Sequence, residues 1–262
     1  MKTGTMTQKI LGVAILVILP LIAAAWFVPP DFPMLLRQLL LTVWGVGATL
    51  VAERLLFSPT LGQSLRALGF VRPRWRVMVV ALLVSLPMWL FLPLLSWSRA
   101  VPISLQPNWL ALLIGVVLVN GITEEVIHRA FVFGHLRSER SFLRAAALSA
   151  ALFAAQHLYL GFSIGWAAGL ASVVLAALLS FPLAYLYEQG GNSTGAPALI
   201  HTSTNAPMII LAMPPEVAAT VLAPYMGVIL VSLYLVFACH KYLTGQGQLL
   251  SKSAPPRPAS TS

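Results

Sequence analysis

The chain has 262 residues, of which 58% are hydrophobic and only 9% charged, with a mean hydropathy of +0.86. Soluble globular domains carry about 25% charged residues, so a water-soluble globule is excluded. The formal net charge is +9, and its placement, taken up below, assigns it to membrane topology rather than to nucleic acid.

Runs of about 20 apolar residues read as membrane-spanning helices. About eight occur, centred near Val17, Val43, Pro87, Val117, Ala151, Val174, Asn205 and Ile229. They predict an all-α membrane protein in which about eight transmembrane helices form one bundle around an intramembrane polar cavity. A membrane β-barrel would need short segments of alternating hydrophobicity, and the Leu-, Ala- and Val-rich runs are too long for that.

The first run, Ile10 to Val28, follows Lys2 and Lys9 and contains Ala23-Ala24-Ala25, which resembles a signal-peptide cleavage site. Its apolar core exceeds the usual signal length, so it is expected to be retained as a helix. Residues 1–244 then make a polytopic membrane domain. The polar, Pro-rich segment 245–262 is expected to be a disordered cytoplasmic tail. Cys239 is the single cysteine, which rules out an intrachain disulfide and predicts a buried thiol.

With the amino terminus in the cytoplasm and eight spans, every Lys and Arg except Arg37 and Arg99 falls in or beside a cytoplasmic segment. That is the bias of the positive-inside rule, with both termini cytoplasmic. The basic stretch from Arg66 to Arg76 is expected to meet anionic lipid. The bilayer is thus a predicted partner, and nucleic acid is not. Gly161, Gly165 and Gly169 recur every four residues at the start of the sixth span, predicting a face for close helix packing.

Against this apolar background, Asn120-Gly-Ile-Thr-Glu-Glu-Val-Ile-His-Arg129 stands out. Ionisable groups at membrane depth cost about 2.5 to 3.5 kcal/mol each on insertion scales and usually line functional cavities. On a helix, residues four apart share a face. Glu125 therefore aligns with Arg129 as an internal ion pair, while Glu124 aligns with Asn120 and His128 and is left free to act.

Two further polar insertions follow: Phe153-Ala-Ala-Gln-His157 in the fifth span and His201-Thr-Ser-Thr-Asn205 in the seventh. Glu124 precedes Arg137 by as many residues as His157 follows Arg144, so an antiparallel hairpin places both about 20 Å from the basic loop. His201 and Asn205 share a face of the seventh span. All four groups are expected to converge on one cavity.

The ordered set Glu-Glu-x-x-x-Arg, Phe-x-x-x-His and His-x-x-x-Asn, at 124–129, 153–157 and 201–205, resembles the CPBP (Abi) group, bacterial relatives of the type II CaaX prenyl endopeptidase. The resemblance covers about residues 105–213. It implies an intramembrane endopeptidase in a bacterial cytoplasmic membrane, acting on a peptide or protein substrate that is itself membrane-associated. Carried over by motif, the catalytic residues are Glu124 and His157, which activate a water, and His201 and Asn205, which stabilise the oxyanion; Glu125 and Arg129 support them.

Glu124, His157 and His201 also form a His2Glu set of the kind that holds catalytic zinc with an open position for water. Glu125 would then be the base. No His-Glu-x-x-His helix is present, and the reading adopted requires no cofactor. A non-enzymatic immunity or ligand-binding protein is the alternative of another class, but such a protein has no need for a base and an oxyanion set together. His128 is expected to make a polar interhelix contact, and His135 and His240 to sit at cytoplasmic helix ends. Gln156 is expected either to orient His157 or to face away from it. Tyr159, Trp166, Tyr185 and Tyr187 are expected at the membrane interfaces.

Overall fold

The computed structural model describes residues 5–29 and 31–244. The predicted tail lies outside the described residues, as do Lys2, Lys252 and Arg257. Among the described residues, seven helical spans are long and apolar enough to cross a membrane. They are α1 (Met6–Phe27), α2 (Met34–Leu56), α4 (Trp75–Arg99), the span Trp109–Arg137, the span Phe142–Ser163, α9 (Trp166–Gln189) and α11 (Pro215–Ala238). The protein is an integral membrane protein. Short helices α3 (Leu61–Ala67) and α12 (His240–Thr244) complete one end of the bundle.

The eighth run, around Asn205, is helical but shorter than a full span. It forms α10 (Gly195–Ile210), about 24 Å long by a 1.5 Å rise per residue, short of the roughly 30 Å hydrocarbon core. Beyond it, β2 (Leu211–Ala212) pairs antiparallel with β1 (Ser104–Leu105), Ser104 opposite Ala212. Gln106 adds two bonds to the same end, its backbone N–H to Ile210 O at 2.9 Å and its side-chain amide to Ile209 O at 3.0 Å. These contacts satisfy carbonyls that the helix leaves open where it stops.

Burial is distributed as a lipid-facing bundle requires. Leu16, Phe27, Trp97 and Val231 are exposed, while Thr49, Ser85, Ser149 and Ser180 are buried. Several buried hydroxyls donate to the carbonyl four residues back, Thr49 to Gly45 at 2.6 Å and Ser180 to Ala176 at 3.0 Å, so they need no water.

At the end of the bundle opposite the β1–β2 pair, the segment after α3 is sewn to the segment before α10. Thr194 N–H and Oγ1 both donate to Gly69 O at 3.2 Å, and Ser193 Oγ donates to Val71 O at 2.8 Å. Gly69 has φ +78°, and a Cβ there would lie 2.6 Å from Thr194 Cγ2, so this join admits no side chain.

The three predicted packing glycines do not lie on one helix. The span Phe142–Ser163 ends in α8 (Leu160–Ser163), and Gly165 at φ +91° turns the chain into α9. The turn folds α9 back so that Gly169 lies against the backbone of Gly161. Close approach is real, but it is made across a turn that period-four spacing does not reveal.

The span Trp109–Arg137 is central. Gly45 brings α2 against Thr123, and Gly121 brings α10 against Thr202 and Ala198. From α7 (Phe142–Gln156), Ser149 Oγ donates to His128 O at 2.8 Å. Gly121→Ala should therefore destabilise the protein by about 1 to 3 kcal/mol through overpacking. Gly47→Ala, where a Cβ meets nothing within 4 Å, should be neutral or stabilising by up to about 1 kcal/mol. Thermal unfolding of the two variants in detergent checks the contrast.

Candidate active site

The central span is α-helical only in part. It begins as α5 (Trp109–Val116), widens into π-helix over Val117–Thr123 and again over Val126–Phe133, and closes as α6 (Gly134–Arg137). Glu124 and Glu125 sit between the two wide stretches. Glu124 N–H donates to Val119 O, five residues back, and Thr123 Oγ1 donates to Leu118 O at 2.9 Å. Such turns are rare and recur at functional sites.

The expected ion pair is present. Arg129 Nε lies 3.2 Å from Glu125 Oε2, with both side chains 0% exposed. Its angle falls outside hydrogen-bond geometry, so it is a charge contact rather than a fork of hydrogen bonds. The other oxygen of Glu125 faces His201 Nδ1 at 2.7 Å.

His201 is flanked on both sides by carboxylates, because its Nε2 lies 3.5 Å from Glu124 Oε2. That distance is an ion-pair separation rather than a close hydrogen bond. Glu124 is 7% exposed, and its Oε1 accepts from Gln156 Nε2 at 3.0 Å. The Gln156 carbonyl oxygen lies 2.7 Å from His128 Nε2 and accepts its proton. Glu124 and His128 are therefore joined through Gln156, a residue of α7 that spacing left unassigned. The equal offsets set His157 level with Glu124; the side chain that meets Glu124 is that of its neighbour, Gln156.

His157 opens a 3₁₀ turn after α7, and its Nδ1 donates to Phe153 O at 2.8 Å. Asn205 lies one turn beyond His201, with its amide donating to His201 O and to Thr204 Oγ1, both at 3.1 Å. Phe153 is the common neighbour. Its ring centroid is 4.7 Å from those of His128 and His157 and 5.6 Å from that of His201, and the Arg129 guanidinium lies 4.5 Å above it. An aromatic face attracts a buried cation, which fixes Arg129 where it meets Glu125. On its far side α10 is held by Trp89 Nε1, which donates to Ser203 Oγ at 3.0 Å, and by Tyr225 OH, 3.2 Å from Ser203 O and Thr204 O.

A cavity of about 330 Å³ reaches this cluster. Glu124, Gln156, Asn120 and Tyr159 line one part of it, and Arg37 and Gln38 of α2 line another, between apolar walls from α1 and α5.

Residues 106–207 match the family described as type II CAAX prenyl endopeptidase, Rce1-like. Over that stretch, well under half of the chain, the sequence is similar to this protease family. No curated protein matches the sequence. The Rce1-like stretch contains all three polar motifs and runs from the residue after β1 into α10. It excludes α1, α2 and α4, although α1 and α2 help to wall the cavity of the Rce1-like domain.

Among the described residues, no three His, Cys, Asp or Glu side chains are disposed to hold a metal ion. No step below passes through a metal.

Several expectations outside the motifs are corrected. His135 does sit in the last turn of the central span, but it is buried there, 2.6 Å from Glu53 Oε2 and beside Phe57 at 4.2 Å. His240 is buried with Nδ1 2.6 Å from Tyr185 OH, and Tyr185 and Tyr187 are buried with it. Tyr159 lines the cavity, whereas Trp166 is exposed as expected. A helical wheel could have placed Gln156 toward Glu124; nothing in the sequence separated Arg37 from an ordinary interfacial arginine.

Removing one partner of a buried pair leaves an uncompensated charge, at about 3 to 5 kcal/mol. Arg129→Ala should lower the stability of the detergent-solubilised protein by that amount, while Glu139→Ala, at an exposed loop position, should change it by no more than about 0.5 kcal/mol. Equal thermal shifts for the two would remove the ion pair from its structural role.

Proposed function

We propose that this protein is an intramembrane endopeptidase in which Glu124 and His157 activate a water that hydrolyses a peptide bond, with His201 and Asn205 stabilising the oxyanion. One observation carries this reading. Glu124 is the carboxylate that both lines the cavity and is fixed from two sides, by Gln156 and by His201.

In the reaction, Glu124 takes a proton from the water as its oxygen bonds to the substrate carbonyl carbon, and His157 orients that water from the neighbouring helix. The carbonyl becomes an oxyanion, which accepts from His201 Nε2 and from the Asn205 amide. Glu125, close to Nδ1, fixes the orientation of the imidazole, and Arg129 holds Glu125 in place. Asn205 exchanges one of its two present bonds for the oxyanion, since such contacts often tighten only with substrate. Collapse breaks the C–N bond, and the proton on Glu124 passes to the leaving nitrogen.

The substrate is a peptide or protein at the membrane. The distribution of Lys and Arg supports a cytoplasmic membrane with both termini inside, and the resemblance of the three motifs to the bacterial CPBP group is what suggests a bacterial source. The chemistry requires no cofactor.

Glu124→Ala and His157→Ala should each abolish cleavage by reconstituted protein while leaving its thermal unfolding in place. Asn205→Ala should lower kcat by roughly 10²- to 10³-fold, as for loss of one oxyanion donor. Full activity in Glu124→Ala would reject the proposed base. After exhaustive chelation the protein should still cleave and hold well under one zinc per chain. Stoichiometric zinc lost together with activity would instead make Glu124, His157 and His201 ligands and Glu125 the base.

A further inference from the structure

Two polar side chains beside Glu124 take no part in the steps above. His128 is 0% exposed and Gln156 is buried. Both stand at free positions of the motifs, 128 inside Glu-Glu-x-x-x-Arg and 156 inside Phe-x-x-x-His, so the resemblance assigns them nothing. Polar groups at membrane depth are costly and call for a role.

The chemistry of the chain His128–Gln156–Glu124 admits one arrangement of protons. As a base, Glu124 is ionised, and an ionised carboxylate only accepts hydrogen bonds. The end of the Gln156 amide that meets Glu124 Oε1 at 3.0 Å is therefore its NH2. Its carbonyl oxygen then faces His128 Nε2 at 2.7 Å and needs a donor there, so His128 carries its proton on Nε2. His128 Nδ1 agrees, being buried with no hydrogen-bond partner among the described residues; a proton on it would be a buried donor with no acceptor. Placed there instead, the proton would leave a lone pair on Nε2, draw the NH2 end of Gln156 round to it and set the amide oxygen against the carboxylate.

The imidazole is held for this task by the helix that bears Gln156. Ser149 Oγ donates to His128 O at 2.8 Å, and the Phe153 ring lies 4.7 Å from the His128 ring. At the other end of the chain, the two oxygens of Glu124 become unequal. Oε1 is taken by Gln156, whereas Oε2 has no hydrogen-bond partner and lies 3.5 Å from His201 Nε2.

We propose that Gln156 is a positioning residue that holds Glu124 Oε1 so that Oε2 takes the proton of the water, and that His128 acts through Gln156 by fixing which end of the amide faces the carboxylate. The proposal rests on Glu124 as the base. No proton travels along the chain; the one that Oε2 receives passes to the leaving nitrogen.

The test uses full-length protein in liposomes and the fluorescence-quenched peptide that the wild type cleaves best from a mixed-sequence set. Gln156→Met keeps the length of the side chain and loses the amide. Its kcat should fall by about 10- to 100-fold, the worth of one hydrogen bond to a charged group, with little change in KM. His128→Leu should lose as much, and His128→Gln, which restores an N–H donor, should recover most of it. The double variant His128→Leu, Gln156→Met should be no slower than Gln156→Met alone, because His128 acts only through Gln156. An unchanged kcat in Gln156→Met overturns the positioning role, as do losses that multiply in the double variant.

A second measurement needs no turnover. Nitrogen NMR of wild-type protein isotopically labelled at histidine, with His128 assigned by its absence in His128→Gln, reads which ring nitrogen is protonated near neutral pH. A proton on Nε2 alone is expected, and a proton on Nδ1, with or without one on Nε2, overturns the orientation. Cleavage by Glu124→Ala rejects the base without touching this spectrum, so the two readings fail separately. If the wild type cleaves none of the peptides, the spectrum alone decides.

Discussion

A carboxylate and a guanidinium buried at mid-membrane set the terms for everything around them. Taking Glu125 and Arg129 out of water costs several kcal/mol per ion, and their attraction repays this only in part. Such a pair contributes little to stability over an apolar replacement. What it supplies is placement. Arg129 is pinned between Glu125 and the face of Phe153, and Glu125 in turn reaches His201. Three separate spans are thereby referred to one fixed charge. Glu124, one residue away, escapes that pairing and turns toward the cavity.

Phe153 extends the same logic into the apolar part of the cluster. Its ring touches three imidazoles and a guanidinium, groups that would otherwise need water or hydrogen-bond partners at this depth. Gln156, one turn along, bridges His128 to Glu124 with both ends of its amide engaged. One face of α7 therefore organises the polar groups of two other spans without bearing a charge of its own.

Much of this was legible in the sequence, for identifiable reasons. Hydropathy gave the helical bundle because each span must satisfy its backbone internally. Four-residue spacing gave the Glu125–Arg129 pair, and counting from the basic loop, which set His157 level with Glu124, came within one residue of Gln156, the side chain that meets it. Other features lay beyond those arguments. His135 and His240 do lie at helix ends, but depth along a helix does not say which side of it faces inward, and both are buried. Arg37 looked interfacial because its cavity is made by tertiary packing of α1 and α2 on the central span.

The two wide turns around Glu124 carry a further consequence. A π-helical stretch keeps an additional residue in the backbone that an α-helix would have no room for. Deleting one residue between Val117 and Thr123 would let that stretch relax to a regular α-helix, with no loss of hydropathy and little loss of length. Because the widened turn absorbs that residue, α5 would keep nearly the same phase relative to the two glutamates, and Gly115 would stay against Gln38. What the deletion removes is the widened backbone beside Glu124. The additional residue thus shapes the backbone at the carboxylate while leaving the packing of the span that carries it in register.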